Sequence, residues 1–303
     1  LVPDLGASTR TADGYTFQIE NYDPDFSWGV TPSAGTASID ASGLVTVTGL
    51  ALGASATATV STSRAGYAPG SAAASGTALE AGVAPTFGTP TRTIDGFTVQ
   101  IANYDAAATY TLDDSALPAG ASASRTGDTI TVTGLAAGAS ATVGVEVSKT
   151  GFTEADAGVT GAALDAALVP TFGTSTRTAD GYTVQITNYD GAFSWAATPV
   201  DGSATVSASG LVTVTGLAPG ASTSVAVSTT RTGYVSGHAS APGTALETGI
   251  APTFGTPTRT ADGYTVQIAN YDPAVTYTLD DSALPAGASA SRTGDTITVT
   301  GLA

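Results

Sequence analysis

Two pairs of adjacent carboxylates are the residues of this sequence that most resemble catalytic groups. Asp113 and Asp114 form one pair, and Asp280 and Asp281 repeat it later in the chain. Paired carboxylates carry out glycoside hydrolysis. Adjacent residues of a strand point to opposite faces, however, and the sequence shows no pocket on which both groups would converge. We therefore predict no catalytic residue at these aspartates.

Other side chains capable of chemistry are rare. The single histidine, His238, stands where the first repeat has Ser71, so it is outside the repeated design and is predicted to be a surface residue. The chain has no cysteine, which excludes a disulfide framework and a thiolate metal site. It contains no GxSxG elbow, no phosphate loop followed by lysine and no HExxH motif. We predict a protein that is not an enzyme, with no catalytic, cofactor-binding or metal site.

The charge balance limits the partners. The chain has 25 acidic and 9 basic residues, for a net charge of −16. Nucleic acids and anionic membranes are bound through clustered Lys and Arg, so neither is a predicted partner. The basic residues occupy equivalent places of a repeat, and we expect local pairing with carboxylates. No apolar run is long enough to form a spanning helix, so no membrane span is predicted, and no signal peptide is seen.

The element that organises the chain is a strand motif, RTADGYTFQIENYD, at Arg10–Asp23. It recurs almost unchanged from Arg92, Arg177 and Arg259. Its alternation of apolar and polar residues in YTFQI predicts a strand with one buried face. The pair Asp13 and Gly14 predicts a tight turn with positive φ, and the preceding PDLGASTRT an opening antiparallel strand. Calcium binding by the turn aspartates is an alternative to this turn role.

The repeat defines the domain organisation. Three intervals separate the turn aspartates Asp13, Asp95, Asp180 and Asp262. The middle interval is slightly longer than the two equal intervals that flank it. We predict short modules at 1–82 and 168–249, a long module at 83–167 and an incomplete long module at 250–303. Thr109–Ala136 returns unchanged as Thr276–Ala303, which indicates that a pair of modules was duplicated as a block.

Each module is predicted to be an antiparallel β-sandwich. In the first module, the two motif strands are followed by FSWGV, ASID, LVTVT, ATATVSTS and SAAASGTAL. Together these segments give about seven short strands separated by regular turn signals. Short linkers ending at Pro85, Pro170 and Pro252 predict stiff joints and a rod-like array. The fourth module ends before counterparts of the strand with Val143 and the strand after it. We expect the chain to continue, or strands of another chain to fill the gap.

The late strands carry a resemblance to known families. SASGLVTVTGL at 207–217 and LVTVTGLAPGASTSVAVSTT at 211–230 resemble bacterial immunoglobulin-like (Big-type) repeats and fibronectin type III domains. The resemblance extends over all four modules. It implies a stalk or adhesin of a bacterial cell surface, or a secreted fibre, with no catalytic activity and an extracellular location.

The repeat and the composition leave three functional hypotheses. The first is a structural spacer made of linked modules. The second is an adhesive or carbohydrate-binding array, in which weak repeated sites gain avidity. Its candidate binding residues are Tyr22, Tyr104, Tyr189 and Tyr271, which we place on the strand face opposite the core. We favour the alternative interpretation, that these tyrosines cap the end of the sandwich. The third is self-association into fibres through edge strands that carry little charge.

Overall fold

The computed structural model describes residues 1–302. Ala303, the last residue of the predicted fourth module and of the duplicated stretch, lies outside the described residues. Residues 1–302 form 25 β-strands and no helix, so no described helix is long and apolar enough to cross a membrane. Two compact units are formed. One comprises Leu1–Val169 with Gly191–Trp195 and Ser228–His238, and the other comprises Pro170–Asp190, Ala196–Val227 and the residues from Ala239 onward.

The first sandwich contains seven strands: β1 (Thr9–Thr11), β2 (Gly14–Gln18), β3 (Ser27–Pro32), β4 (Thr36–Ile39), β5 (Leu44–Thr48), β6 (Ser55–Ser63) and β7 (Gly70–Thr77). They form two antiparallel sheets with the orders β1-β2-β5-β4 and β3-β6-β7. With the strands lettered A to G in chain order, these sheets are ABED and CFG, the arrangement of a constant-type immunoglobulin domain. The all-β, Ig-like fold predicted from the sequence is confirmed.

Two further sandwiches repeat these orders. The second contains β8 (Thr91–Thr93), β9 (Gly96–Gln100), β10 (Thr109–Asp113), β11 (Ser122–Thr126), β12 (Thr129–Thr133), β13 (Ser140–Ser148) and β14 (Ala155–Ala162). The third contains β15 (Thr176–Thr178), β16 (Gly181–Gln185), β17 (Ser194–Pro199), β18 (Ser203–Val206), β19 (Leu211–Thr215), β20 (Ser222–Thr230) and β21 (Gly237–Thr244).

The fourth set of strands forms one sheet. It contains β22 (Thr258–Arg259), β23 (Tyr264–Gln267), β24 (Ser289–Thr293) and β25 (Thr296–Thr300), in the order β22-β23-β25-β24. Within residues 1–302 no three-stranded sheet faces it. Residues 276–280 are outside any strand, although their sequence is identical to that of β10.

The core of each complete sandwich is built by alternating residues of the two sheets. In the first, Tyr15 and Phe17 of β2 are fully or almost fully buried and face Ala58 and Val60 of β6. The Tyr15 hydroxyl donates to the carbonyl oxygen of Ala56 at 2.9 Å, and burial raises the pKa of this phenol. The predicted alternation of the motif strand thus places its apolar face in the core.

The start of the motif strand differs from the prediction. The opening strand pairs continuously with β2 only at Thr9–Thr11, and an isolated bridge joins Leu5 to Ile19. Thr11 pairs with Gly14, so the turn residues are Ala12 and Asp13, and Gly14 does not have a positive φ. A Cβ at Gly14 would lie 1.9 Å from the carbonyl oxygen of Val47 on β5. Glycine is required here because two backbones approach closely.

Candidate functional site: the joints between sandwiches

The repeated asparagine of the motif forms hydrogen bonds with the backbone next to the proline at the start of each repeat. Asn103 accepts a hydrogen bond from the Thr86 N–H at 2.8 Å and donates to the Ala84 carbonyl at 2.9 Å, on either side of Pro85. Asn21 and Asn270 make the same pair of bonds around Pro3 and Pro252, and Asn188 accepts from the Thr171 N–H beside Pro170. We call this arrangement the asparagine clasp. It holds the linker against the turn that follows the second strand of its own repeat.

The first joint also contains a hydrogen-bonded bridge to the next sandwich. Glu80 follows β7 and pairs in parallel with Phe152, which lies in the turn between β13 and β14. The Glu80 N–H donates to the Gly151 carbonyl at 2.9 Å, and the Thr153 N–H donates to the Glu80 carbonyl at 2.9 Å. The Gly82 N–H also donates to the Thr153 hydroxyl at 2.9 Å. The linker is therefore tied by its backbone to the sandwich that follows it.

The same bridge recurs at Asp165, the equivalent position of the next linker. Its N–H donates to the Gly233 carbonyl at 2.8 Å, and its carbonyl accepts from the Val235 N–H at 3.0 Å. An isolated parallel bridge again pairs the linker residue, here with Tyr234. Because the bonds are between backbone groups, the bridge tolerates the change from Glu80 to Asp165.

The motif arginine lies beside each of these bridges. A Cβ at Gly151 would be 3.9 Å from the Arg10 guanidinium, and a Cβ at Gly233 would be 3.9 Å from that of Arg92. Arg92 also contacts the Asp165 carboxylate at 3.4 Å, with both side chains over 40% exposed. Exposure keeps such a pair weak, at about 0.2 to 1 kcal/mol, so the backbone bridge is the main connection.

A cleft beside the first joint contains the only lysine of the chain. The cleft measures about 220 Å³ and is lined by Val83, Asn103, Tyr110, Phe152 and the ion pair of Lys149 with Asp105. The two charged groups are 2.8 Å apart. The hydrogen bond from Lys149, together with that from the Ala107 N–H, lowers the pKa of Asp105. The predicted pairing of basic residues with carboxylates is found here, at Arg64 with Asp25 and at Arg92 with Asp165.

The aspartate pairs considered for catalysis are turn residues. Asp113 ends β10, and its carboxylate accepts from the Ser115 N–H at 3.0 Å, while Asp114 follows in the turn and its carbonyl accepts from the Leu117 N–H. Asp280 makes the equivalent bond to Ser282 at 3.1 Å. Hydrogen bonds from these serines lower the pKa of both carboxyls. His238 is exposed on β21. Residues 1–302 contain no cluster of three acidic or histidine side chains suited to a metal ion.

The four motif tyrosines lie beyond the strand instead of on its outer face. Tyr22 is in the turn after β2, stacks on Trp28 with ring centroids 5.3 Å apart and covers the backbone of Gly43. Tyr104 stacks on Tyr110 and Tyr271 on Tyr277 in the same way. In these two pairs an arginine, Arg125 or Arg292, lies over the rings. The predicted outer-face placement was wrong because the strand ends before the tyrosine.

The sequence predicted the linkers ending at Pro85, Pro170 and Pro252 as joints, but it did not predict the contacts that tie them. No local pattern connects Glu80 with the distant turn that contains Phe152. The asparagine clasp does have a sequence signal, because each asparagine follows its proline by the same number of residues in all four copies. When two residues recur at a constant separation that is too long for one strand, they are candidates for a contact that closes a loop.

Strand order and joints together define the class: a tandem array of Ig-like sandwiches linked by short tied segments. No protein-family model and no curated protein matches the sequence. Among solved structures, immunoglobulin domains 1–5 of Sidekick-1 are similar with 10% identity and a TM-score of 0.28, covering 88% of this chain and 66% of that one.

Two other structures are similar at the same level. BT4661, described as a SusE-like surface-located polysaccharide-binding protein from Bacteroides thetaiotaomicron, has 9% identity and a TM-score of 0.30, covering 78% of this chain and 58% of its own. Extracellular domains 3–5 of Drosophila OTK have 9% identity and a TM-score of 0.26, covering 69% and 76%. At these TM-scores the fold assignment rests on the strand order.

Proposed function

We propose that this chain is a non-catalytic spacer of an extracellular or cell-surface protein, of the bacterial stalk or fibre type. Its units are the predicted modules 1–82, 83–167, 168–249 and 250–303. The observation that carries the proposal is the recurring backbone bridge at Glu80 and Asp165. A spacer needs joints that resist bending, and the two backbone hydrogen bonds of the bridge, which both joints share, support this role.

The strength of one joint follows from its bonds. Each hydrogen bond contributes about 0.5 to 1.5 kcal/mol net, so the three bonds at Glu80 and Gly82 together supply about 1.5 to 4.5 kcal/mol against opening. Thermal energy is about 0.6 kcal/mol, so the closed joint predominates. The proline and its asparagine clasp reduce the remaining freedom of the linker.

Spin labels test this joint directly, because the chain has no native cysteine. Ser38→Cys and Ser124→Cys place labels on exposed positions of the first and second sandwiches. Pulsed dipolar spectroscopy is expected to give one narrow distance distribution. A distribution as broad as that of a flexible linker contradicts the spacer proposal.

A proline substitution identifies the bonds responsible. Glu80→Pro removes the N–H that donates to Gly151, and it is expected to broaden the distance distribution. The matched control is Ala81→Pro, which changes the adjacent exposed residue and leaves the bonds of Glu80 in place. Equal broadening in both variants means that linker stiffness, not the bridge, sets the geometry.

A second candidate function is the binding of a carbohydrate. The cleft beside the first joint favours it, because Tyr110 and Phe152 offer aromatic surface next to the charged pair of Lys149 and Asp105. Screening on a glycan array tests this function, and hits are expected to weaken in a Phe152→Ala variant. An array with no hits removes it and leaves the spacer function untouched.

A further inference from the structure

The first and third sandwiches each carry a cluster of two aromatic rings and one arginine, which we call the ring cluster. In the first sandwich, Phe26 lies just before β3 and packs edge-on against Tyr67, with the ring centroids 5.5 Å apart. The Arg64 guanidinium lies over both rings, 5.3 Å from the Phe26 centroid and 5.5 Å from that of Tyr67. A cation over an aromatic face is attracted to it, so the cluster holds its phenylalanine ring through two different contacts.

The third sandwich repeats the ring cluster with Phe193, Tyr234 and Arg231. Its two rings are 5.1 Å apart and again meet edge to face. The guanidinium lies 5.3 Å from the Phe193 centroid and 4.9 Å from that of Tyr234. Phe193 is partly buried, as Phe26 is. A phenylalanine ring therefore fits this position in two separate sandwiches.

The second sandwich lacks the phenylalanine of the cluster. Ala108 takes its place just before β10, while Phe152 corresponds to Tyr234 of the third sandwich. The Lys149 ammonium lies over the Phe152 ring, 5.1 Å from its centroid. Where the other sandwiches hold a phenyl ring, the second has the cleft of about 220 Å³ beside the first joint. A cavity of about 150 Å³ binds benzene, so this cleft has room for one substituted ring.

The walls of the cleft indicate which kind of ring it suits. Val147 and Tyr110, which are only 9% and 8% exposed, supply apolar surface. Lys149 keeps the Asp105 carboxylate at 2.8 Å, so the two charges offset each other and a neutral ligand is favoured. An ammonium group is attracted most strongly to the faces of indole and phenol rings.

We propose that this cleft binds a phenol or indole ring of another molecule, in the place that Phe193 fills in the third sandwich. The bound ring contacts Phe152 as Phe193 contacts Tyr234, and Lys149 lies over its face as Arg231 does over Phe193. The proposal is independent of the spacer function. An aromatic ring is also a different ligand from the carbohydrate considered for this cleft, and the experiments below separate the two.

Titration of the full chain with p-cresol, followed by NMR at the Val147 methyl groups, tests the proposal. Saturable shifts are expected, because a ring in the cleft exerts a ring current on this side chain. Ala108→Phe fills the cleft and is expected to weaken binding at least about tenfold. The matched control is Ala106→Phe, which adds the same ring at an exposed position outside the cleft and is expected to bind within about threefold of the parent. No saturable shift in the parent, or equal binding by all three proteins, overturns the proposal.

The converse substitution supplies a test that does not depend on the folding of the Ala108→Phe chain. Phe193→Ala removes the ring from the third sandwich and is expected to create a second p-cresol site there. Its signature is a saturable shift at Val235, the counterpart of Thr153 in the lining of the cleft, that the parent chain does not show. A Phe193→Ala chain without this shift contradicts the assignment of the cleft to a missing ring.

Three further probes identify the ligand class and its source. N-acetyl-L-tyrosinamide carries the same phenol on a peptide unit, so binding as tight as that of p-cresol supports a side chain of a partner polypeptide, and binding of p-cresol alone supports a free small molecule. 4-Methylcyclohexanol has a similar size without π electrons and is expected to bind at least about threefold more weakly. Saturable Val147 shifts with methyl α-D-glucoside, and none with p-cresol, support the carbohydrate function and overturn the aromatic one.

Discussion

At Gly181 the backbone of β16 passes so close to β19 that a Cβ would lie 1.9 Å from the Val214 carbonyl oxygen. Gly181→Ala is therefore expected to lower the free energy of unfolding of the third sandwich by about 1 to 3 kcal/mol. Denaturant unfolding followed by Trp195 fluorescence in a Trp28→Phe background measures it. The matched control, Gly191→Ala, has open space around the new methyl group and is expected to change stability by less than about 0.5 kcal/mol.

Two variants of Asn103 distinguish the two hydrogen bonds that its side chain makes in the asparagine clasp. Asn103→Asp keeps the oxygen that accepts from the Thr86 N–H, whereas Asn103→Ala removes it together with the donor to Ala84. We expect faster hydrogen exchange of the Thr86 amide in the alanine variant and near-native exchange in the aspartate variant. Exchange measured by NMR at one pH gives the comparison. Similar exchange in all three proteins means that Pro85 holds the linker without help.

The ion pair beside the first joint predicts a pH dependence. Since Lys149 lowers the folded-state pKa of Asp105, the pair stabilises fully above the ordinary carboxyl pKa, and this contribution is lost as the pH falls through the folded-state pKa. Lys149→Met is expected to raise the pKa of Asp105 in an NMR titration. The internal control is Asp40, whose pKa is lowered mainly by the Ser42 hydroxyl and should not change. An unchanged Asp105 titration contradicts the assignment to Lys149.

At the scale of elements, two identical sequences adopt different states. Residues 109–113 form β10, whereas the identical residues 276–280 form no strand. Intrinsic propensity is the same for both, so the partner strand β13 makes the difference. Hydrogen exchange by NMR is expected to show protected amides in 109–113 and rapid exchange in 276–280. Equal protection in both segments contradicts this explanation.

The elements also show how far sequence alone leads. Alternation in YTFQI predicted β2 and its buried face because a strand's side-chain period is local. The pair Asp13 and Gly14 predicted the hairpin for the wrong reason, since the need for glycine comes from Val47 on β5, far along the chain. The bridge from Glu80 to Phe152 had no local signal at all. The sequence thus predicted which face of a strand is buried. It did not predict contacts between backbone segments that are distant in the chain.

At the scale of the whole molecule, a net charge of −16 opposes the pairing of exposed edge strands. The outermost strands β4 and β18 contain no charged residue, so they lack the usual protection against edge-to-edge association. Salt shortens the screening length from about 30 Å at 0.01 M to about 8 Å at 0.15 M. Light scattering is expected to show the 29.5 kDa monomer at low salt and a larger mass at high salt.

Lysine at the edges distinguishes strand pairing from general screening. The double variant Ser38→Lys and Thr205→Lys places a charge in the middle of β4 and β18, and we expect it to stay monomeric at high salt. Its control, Ser61→Lys with Ser228→Lys, makes the same change in net charge on the central strands β6 and β20, and we expect it to associate like the parent chain. If both double variants remain monomeric, net charge alone governs association. Association of the edge variant to the parent's mass places the contact elsewhere than on these strands.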